Sequence, residues 1–125
     1  MGLTQKRFVL GQVATAATTE TLLYSTHQST TFSVTEAIVK SIVVCNRDTS
    51  ATTFRVAVVP DGKADLTTNA TGNKHYVAYD VDIAENDTAT LKLNLFLSDK
   101  DDVRVYAAGA SVSFSAFGFE FDGNV

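Results

Sequence analysis

Residues 89–98 read Ala89-Thr90-Leu91-Lys92-Leu93-Asn94-Leu95-Phe96-Leu97-Ser98, and the spacing of their apolar members decides the fold. Ala89, Leu91, Leu93, Leu95 and Leu97 hold every second position, with mostly polar residues between them. Successive side chains of a β-strand point to opposite faces, so the stretch has one oily side and one largely wet side. On a helix the same leucines would spread around the cylinder and form no single buried stripe.

The same period of two runs outward in both directions. Strands are expected at Phe8–Ala14, Thr21–Ser25, Thr30–Val34, Ile38–Asn46, Thr53–Val59, His75–Ile83, Val103–Ala107 and Ser111–Phe121, which with the leucine run makes about nine. Turn chemistry separates them: Asn46-Arg47-Asp48, Pro60-Asp61-Gly62, Glu85-Asn86-Asp87, Asp99-Lys100-Asp101-Asp102 and Ala108-Gly109. Pro60 has a fixed φ and no amide donor, so a strand must stop there. The segment Lys63–Asn73 has little apolar content and reads as an exposed excursion.

The last strand changes phase. Val112 and Phe114 share one parity, whereas Phe117, Phe119 and Phe121 share the other. A β-bulge near Ser115 and Ala116 would reconcile them and is the preferred reading. The alternative is that both faces of the strand are covered, one by the core and the other by a neighbouring subunit.

A chain of 125 residues has room for one compact domain, here residues 1–125 with 1–7 as an extended N-terminal arm. Many short antiparallel strands in that length bury their oily faces most economically as two facing sheets. The expected fold is therefore all-β, an antiparallel β-sandwich of about 8–9 strands and jelly-roll-like, with a closed barrel as the competitor. One cysteine forms no internal disulfide, so packing must hold the core. The net charge of -4 argues against partners bound through phosphate neutralisation, so neither nucleic acid nor an anionic membrane surface is an expected partner. No secretory signal or membrane-spanning apolar run is visible.

The search for chemistry is short. Cys45 ends the run Ile42-Val43-Val44 and reads as a small buried thiol. His27 and His75 are isolated, and no nucleophile elbow, zinc-protease helix or phosphate loop is present, so an enzyme is not expected and no cofactor or metal is assigned. Asp99, Asp101 and Asp102 could gather around calcium, but the loop also holds Lys100 and reads more simply as a solvated turn. Tyr76, Tyr79 and Tyr106 could form a carbohydrate platform. Alternation weakens that idea, because it sends Tyr76 and Tyr79 to opposite faces and at least one into the core. Arg55 and Arg104 are expected to pair with strand carboxylates or to rim an interface.

Three segments carry a resemblance: KSIVVCNRDTSATTFRVAVV at Lys40–Val59, KHYVAYDVDIAENDT at Lys74–Thr88 and DDVRVYAAGASVSFSAFGFE at Asp101–Glu120. In this order, with Cys-Asn-Arg, Thr-Thr-Phe-Arg, Lys-His-Tyr, Asn-Asp-Thr and Val-Arg-Val-Tyr-Ala as its marks, the set resembles small virion structural proteins of tailed bacteriophages. It spans about two thirds of the chain. The resemblance implies a β-sandwich on the phage head or tail, with no catalytic motif to carry over. Its first implication is a capsid decoration or cement protein, found in the virion after assembly in the host cytoplasm. Such a protein would bind the major capsid protein or other virion proteins as a homo-oligomer, for instance a trimer. A tail, baseplate or fibre accessory protein is the alternative, and a glycan-binding receptor module is a third. Partner contacts are expected from Thr4, Gln5, Lys6 and Arg7, whose arm could add a strand to a neighbour, and from Asp99, Lys100 and Asp101.

Overall fold

The computed structural model describes residues 4–5, 9–26, 34–60, 73–98 and 101–122. Within them lie nine strands: β1 (Thr4–Gln5), β2 (Val9–Thr15), β3 (Thr21–Ser25), β4 (Val34–Asn46), β5 (Thr52–Val59), β6 (Tyr76–Ile83), β7 (Thr88–Ser98), β8 (Asp102–Ala107) and β9 (Val112–Asp122). Their pairing is nested. The antiparallel pairs are β2 with β9, β3 with β8, β4 with β7 and β5 with β6, as though one long hairpin had been rolled up with its tip between β5 and β6. Rolling adds the lateral pairs β4 with β9 and β5 with β8. The result is two separate sheets, ordered β2-β9-β4-β7 and β3-β8-β5-β6, with β1 continuing the edge beside β9 beyond β2. This winding is the jelly roll, and it settles the sandwich against the closed barrel.

The leucine run packs as its alternation requires. Leu91, Leu93 and Leu95 lie against the core and Leu97 is buried, while Thr90, Lys92, Asn94 and Phe96 are exposed. Between the sheets, Phe54 of β5 meets Phe114 of β9 edge to face at 6.2 Å, a geometry favoured by the ring quadrupoles. Val39, Ile42 and Val44 of β4 and Val56, Val103 and Val105 of the other sheet complete the centre. A polar tie also crosses the interior: the Tyr24 hydroxyl donates to Glu120 Oε2 at 2.5 Å, and both residues are essentially inaccessible.

The motif Cys-Asn-Arg forms a corner. Asn46 is buried, donates through Nδ2 to the carbonyls of Ser50 at 2.9 Å and Ala84 at 3.1 Å, and accepts from the Asp48 amide at 3.0 Å. Its own amide and that of Arg47 donate to Asp87 and Ser111. One amide side chain thus closes its own turn and ties it to the turn that starts at Ala84, which is why an asparagine stands there. Arg55 pairs with Asp80, and Arg104 with Glu20 and Asp102, as strand arginines were expected to do. Asp102 is itself buried beside Arg104 and is not part of a solvated turn.

Several sequence expectations need correction. β9 holds no bulge. Val112, Phe114, Ala116, Gly118 and Glu120 all bury in unbroken alternation, so Phe117, Phe119 and Phe121 face outward. The phase shifts lie in its partners, where Lys40 is the extra residue in β4 and Leu10 the extra residue in β2. Cys45 is half-buried on the outer side of β4, because Val44 and Asn46 take the inward positions. His75 belongs to a short 3-10 turn, Asn73–His75, and not to β6. Residues 30–33, His27 and most of Lys63–Asn73 lie outside the described residues, and of the strand expected at Thr30–Val34 only Val34 is seen, as the start of β4.

Candidate functional site

The outer face of the β2-β9-β4-β7 sheet collects phenylalanine side chains that the core does not use. Cross-strand register sets them in rows. Ile38 of β4 stands between Phe96 of β7 and Phe119 of β9, and in the next row Glu36 stands between Ser98 and Phe121. Phe117 follows in the other direction, beside Val9 of β2. Phe96 keeps 77% of its surface in solvent, the largest exposure of any large hydrophobic residue among the described residues. A groove of about 210 Å³ opens beside it, lined by Glu36, Ile38, Phe96, Leu97 and Phe121 among others. At its far end the same face turns polar, with Ser113, Ser115 and Gln12, whose Nε2 donates to Ser115 Oγ at 3.1 Å. A single exposed apolar residue is ordinary on a protein surface, but aromatic residues in consecutive rows form a patch suited to contact with another protein.

Of the residues named from sequence as partner contacts, Thr4, Gln5 and Asp101 are among those described. Thr4 and Gln5 form β1 and pair with Asp122 and Phe121 of the chain's own β9, so in this chain they extend its own sheet. Asp101 closes the connection after β7: its carboxylate accepts from the Ser98 amide at 2.8 Å, and its amide donates to the Ser98 carbonyl at 3.2 Å. Gln5, Phe121, Glu36 and Ser98 therefore run in order across β1, β9, β4 and β7, with Asp101 at the end. Lys6, Arg7, Asp99 and Lys100 lie outside the described residues. Sequence reasoning did not name Phe96 or Ile38. The signal was present, since Phe96 is the one large apolar residue on the polar side of the leucine run.

A second cluster occupies the outer face of the other sheet. The expectation that Tyr76 and Tyr79 face opposite ways is overturned. β6 carries an extra residue opposite β5 on either side of Ala78, and Asp80 adopts a left-handed φ of 49°. Each extra residue reverses the parity, so Tyr76 and Tyr79 share a face and meet edge to face at 4.9 Å, while Ala78 points to the core. Arg55, the cross-strand partner of Tyr106, lays its guanidinium 4.3 Å from the Tyr106 ring centre and 4.2 Å from that of Tyr79. Its Nε donates to Asp80 Oδ1 at 2.6 Å and its Nη2 to Oδ2 at 3.4 Å. The Asp80 hydrogen bond raises the guanidinium pKa further above its already high ordinary value, so Arg55 is a fixed cation.

No protein-family model matches the chain, and no curated protein matches it. Among solved structures it is similar to a chain in the crystal structure of the T13 IBDV viral particle, at 13% identity and a TM-score of 0.53, over 97% of this chain. The match takes in 31% of that chain, so this protein spans about a third of its length. At that identity the likeness concerns the fold alone.

Proposed function

We propose that this protein is a structural component of a virion, a capsid decoration or cement protein that adheres to the major capsid protein or its neighbours in the head lattice. The observation that carries this reading is the aromatic outer face of the β2-β9-β4-β7 sheet, with Phe96, Ile38 and Phe119 in one row, Phe96 largely exposed and its two neighbours half-buried. An exposed aromatic ring flanked by half-buried apolar neighbours favours burial against a partner. Two further observations support it. The fold is similar to part of a chain in a viral particle, and three segments of the sequence resemble small phage virion proteins. In this reading the protein is not an enzyme. It works as a repeated tile, and many weak contacts to an ordered lattice, strengthened by association into a cyclic homo-oligomer such as a trimer, hold it in place through effective concentration.

The test is where the protein sits. Electron cryo-microscopy of purified particles carrying a C-terminal label should show it at many regularly spaced positions on the head, with the Phe96 face toward the shell. A few copies at one vertex or along the tail would replace decoration with the tail-accessory role. Particles that lack the protein altogether would end the virion reading.

A further inference from the structure

The two outer faces of the sandwich sort the aromatic residues by chemistry. Phenylalanines line the outside of one sheet, whereas three of the chain's four tyrosines gather around Arg55 on the other. We infer that Tyr76, Tyr79, Tyr106, Arg55 and Asp80 form a binding site for a neutral saccharide.

The argument rests on what each group offers. A pyranose ring has a flat patch of C–H bonds that stacks on an aromatic face and a rim of hydroxyls that needs donors and acceptors. Tyr79 is 55% exposed, and Arg55 sits against its ring, so the ring is held in place before any ligand arrives. Asp80 keeps a side chain 44% exposed while Arg55 orients its carboxylate, which leaves acceptor oxygens aimed by a fixed cation beside the stacking surface. Tyrosine hydroxyls at the edge of the cluster can both donate and accept. Such a combination, rigid aromatic faces with a few positioned polar groups, is what polar small-molecule sites use.

Charge narrows the class. Arg55 and Asp80 neutralise one another, and the chain as a whole carries -4, so the site has no surplus cation to attract a sialylated or phosphorylated glycan. The construction is also specific. Two irregularities in an edge strand and a left-handed aspartate are required to bring Tyr76, Tyr79 and Asp80 to one side, and backbone strain of this sort concentrates where function needs it.

The full chain should be applied to a printed array of neutral and acidic glycans, and any hit checked by saturation-transfer NMR in solution. Binding to neutral glycans is expected, with about a ten-fold or greater loss in Tyr79→Ala and in Tyr106→Ala. Tyr79→Phe, which keeps the stacking face, should lose less, and Lys92→Thr on the opposite sheet should lose nothing. Thermal melts confirm that each variant is folded. Silence across the array by the folded protein, or binding that survives both alanine variants, would overturn the inference. So would a result in which Tyr79→Ala leaves glycans unbound as before but abolishes attachment to virus particles, since the face would then be a protein dock. These outcomes are separable from the virion reading, which is judged by the protein's position on particles.

Discussion

Replacing Phe96 with alanine should leave the isolated protein nearly as stable as before and remove its adhesion. Full burial of a phenylalanine stabilises by about 1.5–3 kcal/mol, and Phe96, 77% exposed, covers only about a quarter of its surface. That share is worth ~0.4–0.7 kcal/mol. Its cross-strand contact with Ile38 adds about 0.2–1 kcal/mol, so the whole loss stays below roughly 1.7 kcal/mol. Phe114 is the internal standard. It has no exposed surface and packs its ring against Phe54, so Phe114→Ala removes a core ring and leaves a cavity, at a cost of about 3–5 kcal/mol. Urea unfolding of the two variants, read by circular dichroism, gives the difference directly, and sedimentation with purified particles gives the adhesion. Phe96→Ala should melt close to the parent yet fail to sediment with the heads. A Phe96→Ala loss as large as that of Phe114→Ala would refute the assignment of Phe96 to the outer face. Undiminished sedimentation would refute the role of that face.

The remaining predictions concern the frame that presents the two faces. Leu93→Asp puts a charge against the core and should cost ~3 kcal/mol or more, whereas Lys92→Thr on the wet side should stay within about 0.5 kcal/mol; equal melting shifts would contradict the facing of β7. Gly118→Ala sets a Cβ onto the carbonyl oxygen of Ile38, where β4 bulges against β9, and should destabilise by about 1–3 kcal/mol in chemical denaturation. An unchanged midpoint would mean that the two strands do not approach so closely. Tyr24→Phe removes the buried donor to Glu120 Oε2 and should cost ~1.5–3 kcal/mol, measured in the same way; a loss below about 0.5 kcal/mol would show that the inter-sheet hydrogen bond contributes little.

Much of the architecture was legible because period 2 is a local property. The leucines of β7 alternate without interruption, and seven further strands were placed from the same signal and from the turn residues between them. The candidate site was less legible. Its aromatic members were visible as the phase change at Phe117, but whether the bulge lay in β9 or in a partner strand depends on pairing, and pairing joins residues far apart in sequence. Opposite Phe117 stands Ser41, next to the extra residue Lys40, and nothing near Ser115 records that. Tyr76 and Tyr79 failed for the same reason. Their spacing of three means opposite faces in a regular strand and the same face across a bulge, and the bulge is set by the register of β6 on β5.

Alternating hydrophobicity, turn residues and the lack of a disulfide partner were enough to dictate an antiparallel all-β domain held by packing, with sandwich and barrel both open, since each depends only on the residue and its immediate neighbours. The tertiary structure alone decided which phenylalanines remain outside, that Arg55 is set against two tyrosine rings, and that the expected contact residues Gln5 and Asp101 end one row across a sheet. Those outcomes follow from long-range register, in which one extra residue in a partner strand reverses the facing of every side chain beyond it.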